Sequence, residues 1–141
     1  MIDHHAALIY TMTLISAADG NMTDAEIGVI GDIVGHLPIF KDYDSKGLTR
    51  DLSACTRLLQ RDDGMEATFK EIKAALPKHL RETAYAVACD VAAADPQMSQ
   101  EEMRMLELIR HRLQIDRLAA AAIERGARAR FAQHEPRKNS E

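Results

Sequence analysis

The sequence predicts an all-α protein, a single-domain bundle of about seven helices built around a duplicated helical hairpin. Three observations lead to this fold class. Hydrophobic residues make up 46% of the chain while Trp is absent and Phe and Tyr number three each, a composition typical of helical proteins rich in Ala, Leu, Ile and Met. Apolar residues recur at helical spacing along the chain, with no strand-like alternation. A stretch centred on a predicted loop also occurs twice, with 76 residues between the two copies' corresponding positions.

The first two predicted helices form a hairpin. The first is apolar around much of its circumference, which predicts a central buried helix, and it ends at Asp19 and Gly20. The second begins at Thr23 and stops before Pro38, whose ring disfavours a helical residue ahead of it. Three residues of low helix propensity in the second helix indicate close contact with a neighbour: Gly28, Gly31 and Gly35.

The other helices follow from apolar stripes at helical spacing. They run from Leu48 to Leu59, from Met65 to Leu76, from about Lys78 to Ala94, from Ser99 to Leu113 and from about Asp116 to Ala132. Because 141 residues suit one compact domain, we assign residues 1–132 to it. Residues 133–141 have no apolar periodicity and are predicted to be a flexible tail.

The internal repeat is strongest around two loops, ADGNMT at 18–23 and ADPQMS at 94–99. Shifting the chain by 76 residues superimposes the predicted hairpin near 6–39 on another near 82–115. Two such hairpins in one small domain are expected to pack about an approximate two-fold axis, with their loops in comparable settings. The aligned pairs include Asp19 with Asp95, Thr23 with Ser99, and Glu26 with Glu102.

The acidic residues of these loops have two interpretations. T-x-x-E at 23–26 and S-x-x-E at 99–102 are capping boxes, in which hydroxyl and carboxylate satisfy amide groups at a helix start. An Asp-led relative of the box stands at 63–66. Asp19 and Asp95 need a further explanation, since a negative charge near a helix C-terminus is mildly unfavourable unless something compensates it. A loop amide, the next helix or a bound cation could do so.

The first loop, HLPIFKDYD at 36–44 and LPKHLRETAYAVACDVAAAD at 76–95 resemble the tellurite-resistance TerB family and its TerB-like relatives. The resemblance covers most of residues 5–115. It implies a helical fold built from a duplicated hairpin, a role in tellurite and other chemical-stress responses, and acidic metal-binding positions. On this chain those positions are Asp19, Glu26, Asp95 and Glu102. The second loop departs from the first, because Pro96 biases Asp95 away from helical backbone.

A metal site of this kind would select a hard cation. Four converging carboxylates repel one another by about 1 to 4 kcal/mol per pair at 4 Å, and a cation relieves that repulsion. All the candidate ligands are oxygens, so Ca²⁺, Mg²⁺ or Mn²⁺ fits better than zinc. The predicted function is that of a non-catalytic sensor or adaptor. The alternative is a metal-free interaction module whose acidic loops bind a basic partner.

Composition also bears on binding partners, localisation and the state of the cysteines and histidines. A net charge of −4 and a pI near 5.9 argue against nucleic-acid binding. No secretory signal or membrane-spanning stretch is found, so we expect a cytoplasmic protein without direct membrane insertion. Cys55 and Cys89 are expected to be reduced and buried, and the six histidines to lie at surface or boundary positions.

No nucleophile motif or phosphate-binding loop is found, which indicates that the protein is not an enzyme. The expected partners are other proteins of a stress-response system, membrane-associated ones included. The sequence indicates no particular oligomeric state.

Overall fold

A computed structural model describes residues 1–134, and within them the chain forms seven α-helices, three short 3-10 helices and no strand. The all-helical prediction is therefore confirmed. The predicted tail lies outside the described residues except for 133 and 134. The α-helices are α1 (His4–Ala17), α2 (Asp24–His36), α3 (Leu48–Leu59), α4 (Gly64–Ala75), α5 (Arg81–Ala93), α6 (Gln100–Arg112) and α7 (Arg117–Arg130).

Helix α1 is the centre of the bundle. Every residue from His5 to Ser16 is buried, and the helix packs against α5, α3 and α4. The hydroxyls of Thr11 and Thr13 donate to carbonyls one turn earlier at 2.8 and 2.7 Å, whereas the buried Ser16 hydroxyl has no hydrogen-bond partner among the described residues. The prediction of a central buried first helix is confirmed.

The buried position of His5 contradicts the prediction that all six histidines lie at surface or boundary positions. Its Nε2 lies 2.9 Å from the carbonyl oxygen of Ile39, and its ring packs against Phe40 and Tyr43. These partners come from the segment between α2 and α3. His5 thus ties the start of α1 to that linker.

The two hairpins, α1–α2 and α5–α6, have helices at matching positions and pack across each other. Helix α6 begins and ends 76 residues after α2, at the interval of the sequence repeat. Across the hairpins, α1 packs on α5, α2 packs on α5, and α6 packs on α1. Each hairpin therefore lays its second helix on the first helix of the other, and this crossed packing places the starts of α2 and α6 beside each other.

The glycines of α2 do not mark a close helix contact, so that prediction is wrong. A Cβ added at Gly28, Gly31 or Gly35 would meet nothing within 4 Å. Gly64, at the start of α4, is the crowded position, because a Cβ there would lie 2.4 Å from the carbonyl oxygen of Leu59. Small size is required at the α3–α4 turn rather than within α2.

Candidate metal centre

Helices α2 and α6 both begin with a complete capping box, as the sequence predicts. In α2 the Glu26 amide donates to the Thr23 hydroxyl at 3.1 Å, and the Thr23 amide donates to Glu26 Oε1 at 3.1 Å. In α6 the Glu102 amide donates to the Ser99 hydroxyl at 3.0 Å, and the Ser99 amide donates to Glu102 Oε1 at 3.3 Å. Each glutamate therefore uses one carboxylate oxygen for its cap.

The third candidate box does not form. Asp63 stands at the N-cap of α4, but its side chain accepts no capping hydrogen bond and instead pairs with Arg61 at 3.0 Å. Complete boxes are thus found at the two repeated loops and not at this Asp-led relative.

The remaining oxygens of the two capping glutamates are buried without a partner. Glu26 is 0% exposed and Glu102 is 1% exposed, and neither Oε2 atom has a hydrogen-bond partner among the described residues. Asp95, which is half-buried, joins them, and one oxygen from each of the three side chains lies within 4.8 Å of the other two. Buried carboxylates without partners are unfavourable, so this arrangement favours a proton or a cation.

Glu102 shows the electrostatic consequence. Burial raises the pKa of Glu102 from 4.5 to about 8, and two effects of Glu26 act in the same direction: a hydrogen bond that only the protonated Glu102 carboxyl can donate, and the negative charge of Glu26. The amide of Ser99 lowers this pKa, and the charge of Asp19 raises it slightly. Without a cation, the protein at neutral pH therefore retains a proton on this carboxyl, between two helix starts.

The two loop aspartates take different places in the site. Asp19 and Asp95 form equivalent turns, each accepting a hydrogen bond at 2.9 Å from the amide two residues ahead. Asp95 belongs to the group of three, whereas Asp19 is exposed and lies outside it. The backbones differ as well, because Gly20 adopts a φ of +76° that Pro96 cannot adopt. The loop that contains proline is the one that supplies a carboxylate.

The three side chains fit a hard divalent cation. They offer oxygen donors only, and two of them carry a buried oxygen that nothing in the described chain satisfies. Ca²⁺, Mg²⁺ and Mn²⁺ favour such donors, and the coordination not supplied by the three carboxylates can be completed by water. The sequence motif identifies Glu26 and Glu102 but not the free oxygen that each keeps, because that depends on how the two hairpins pack.

Both cysteines are buried and free of a disulfide, as predicted. Burial raises the pKa of the Cys55 thiol and of the Cys89 thiol to about 12. The two thiols are therefore protonated and behave as small core side chains. They take no part in the acidic group.

Comparison with known proteins agrees with the helical fold. The family model described as "Tellurite resistance protein TerB" matches residues 5–125. No curated protein and no solved structure gives a significant match. Among the described residues, no helix combines the length and apolar character needed to cross a bilayer. Because the family model covers most of the chain, the protein belongs to the TerB family of tellurite-resistance proteins.

Proposed function

We propose that this TerB-family protein binds one divalent cation, Ca²⁺, Mg²⁺ or Mn²⁺, between the starts of α2 and α6, and that it acts as a non-catalytic sensor or adaptor. Glu26, Glu102 and Asp95 are the proposed ligands. The observation that carries the proposal is the pair of buried, unpartnered Oε2 atoms of the two glutamates. A divalent cation would replace the retained proton and neutralise most of the carboxylate charge.

The position of the ligands suggests how binding could be sensed. Glu26 belongs to the first hairpin, whereas Asp95 and Glu102 belong to the second. A cation held by all three would link the hairpins at the point where they cross, and so would favour the packed arrangement over any in which α2 and α6 separate. The cation would act on the mutual packing of the hairpins rather than on a reaction.

A metal-free interaction module is the second candidate. Asp19, Asp24 and Glu101 are exposed around the same two helix starts and give this surface a negative potential. Such a surface could bind a basic segment of a partner in the stress response. This interaction would be screened by monovalent salt and would need no buried oxygen.

Calorimetric titration of chelator-treated protein with each ion tests the first candidate. Titration of the wild-type protein should give a heat of binding that falls to zero as the site becomes saturated with the ion. A cation at 100 times its dissociation constant should stabilise the fold by about 2.7 kcal/mol if it binds only the folded state. Glu102→Gln should abolish the response, while Glu101→Gln, which removes the same charge from an exposed neighbour, should leave it nearly intact.

The titrations need a fixed ionic strength set by a monovalent salt, because an acidic surface also responds to general screening. Asp95→Asn and Asp19→Asn give a second matched pair. Asp95→Asn should weaken binding more, since Asp95 lies with the glutamates and Asp19 does not. If none of the three ions produced heat or a specific shift in melting, the metal assignment would fail and the basic-partner candidate would be favoured.

A further inference from the structure

A second feature of the molecule lies on the outer side of the second hairpin. Helices α6 and α7 form the walls of a groove of about 740 Å³, and α5 forms its floor. The lining includes the apolar side chains of Ala93, Met98 and Leu106, and it includes Met103, which is 52% exposed. An exposed methionine beside an apolar floor is typical of a surface that adapts to a partner.

The chain topology explains why this groove stays open. Both α6 and α7 pack on α5 but make few contacts with each other. In the first half of the chain, the linker between α2 and α3 lays Phe40 and Tyr43 against α1. The connection between α6 and α7 is only residues 113–116 and contains no aromatic side chain that could cover the floor.

The charge of the groove is opposite to that of the protein. Its rim has four arginines and two glutamates, whereas the whole chain has a net charge of −4. One of the two glutamates, Glu124, accepts a hydrogen bond from the Tyr85 hydroxyl at 2.5 Å. Within the described part of the chain, none of the groove arginines forms an ion pair: Arg104, Arg110, Arg117 and Arg128.

A complementary occupant must combine apolar side chains with carboxylates along one length of chain. The groove follows α6, whose 13 residues correspond to roughly 20 Å, long enough to hold three to four turns of another helix. The chain's own C-terminal sequence, EPRKNSE at 135–141, has no large apolar side chain to offer. We infer that this groove is a docking site for an acidic amphipathic helix of a partner protein, bound by its apolar face with its carboxylates against the rim arginines.

The probe for this inference is a fluorescent 16-residue helical peptide with leucines at i, i+3, i+4 and i+7 and glutamates elsewhere. Its control has lysine at every glutamate position. The measurement is made in chelator, so that the outcome is independent of the proposed cation site. We expect saturable binding of the acidic peptide that weakens with salt, and no comparable binding of the basic one.

Two variants localise the interaction on the protein. The double substitution Arg104→Glu with Arg117→Glu reverses two rim charges and should weaken binding at least tenfold. Arg125→Glu changes an exposed residue of α7 outside the groove and should change it less than twofold. Melting temperatures close to that of wild type would show that all variants remain folded.

Several results would overturn the inference. Equal affinity for the two peptides, or unchanged binding in the double variant, would show that the rim charges do not select the ligand. Binding of phosphatidylglycerol vesicles without binding of the peptide would assign the groove to lipid. Self-association in sedimentation that the double variant abolishes would assign it to a second copy of the chain.

Discussion

Replacing Glu102 by Gln should make the chelator-treated protein more stable at neutral pH, although it changes a buried residue. Gln can occupy the same capping position as Glu, so the box with Ser99 can be retained. The substitution removes a carboxyl whose pKa is raised from 4.5 to about 8. The new amide can also donate to the unpartnered Oε2 of Glu26.

The magnitude follows from proton linkage. Below pH 4.5 the Glu102 carboxyl is protonated in both the folded and the unfolded protein. In this pH range its ionisation therefore does not reduce the free energy of unfolding. Between pH 4.5 and about 8 the unfolded chain releases a proton that the folded protein retains, so the free energy of unfolding falls as the pH rises. At about pH 7 this amounts to a loss of about 3 kcal/mol, at 1.36 kcal/mol per pKa unit. Gln should recover much of this loss, which corresponds to a rise in Tm of roughly 5–10 °C for a domain of this size.

Guanidinium unfolding between about pH 5 and pH 8 in chelator measures the effect. Wild type should lose stability across this range, whereas Glu102→Gln should have a flatter profile, and Glu101→Gln should follow wild type. If Glu102→Gln were less stable than wild type at about pH 7 with an unchanged pH slope, the raised pKa would not describe this site, and capping alone would explain Glu102.

Three further predictions concern other parts of the fold. Thr23→Ala and Ser99→Ala should each cost about 0.5–2 kcal/mol, measured by denaturant unfolding, because each hydroxyl caps a helix start. Gly28→Ala should stabilise the protein by about 0.5–1 kcal/mol, since the site is open and helical, whereas Gly64→Ala should cost about 1–3 kcal/mol through its clash with a carbonyl. The thiol of Cys89 should react with a disulfide reagent only slowly in the native protein and rapidly after unfolding, because it is buried and its pKa is about 12.

Each of these predictions has a contrary outcome. Unchanged denaturant midpoints in both hydroxyl variants would contradict the caps. Equal effects of the two glycine substitutions would contradict the difference in local space. Rapid native-state reaction of Cys89, at a rate independent of denaturant, would contradict its burial.

The sequence predicts most of the helices well because their apolar residues recur at helical spacing. Pro38 and Pro77 end their stripes where the structure ends α2 and α4. The sequence is a poorer guide where the environment of a residue is formed by parts of the chain that are distant in sequence. His5 is buried because the linker after α2 reaches it with Ile39 and Phe40, and nothing near His5 in the sequence indicates that contact.

The candidate site is predictable only in part for the same reason. The capping boxes are local, so Glu26 and Glu102 are identifiable by spacing alone. The grouping with Asp95 rather than Asp19 depends on the paths of two loops through Gly20 and Pro96, and on the crossing of the hairpins. A local motif sets which residues stand at a helix start, but it does not set what faces them.

The chemistry of the site arises from duplication of an ordinary capping motif. A glutamate in a single capping box uses one oxygen for the cap and can leave the other in water, at little cost. When the hairpin is duplicated and the copies cross, the spare oxygens of Glu26 and Glu102 are buried in the same acidic group, away from water. The partial positive charge at two helix starts moderates the repulsion. It does not abolish the repulsion, because the pKa of Glu102 remains raised to about 8. Neither helix start alone would have this property, so the raised pKa of Glu102 and the proposed affinity for a cation both belong to the pair of repeats and depend on their staying packed together.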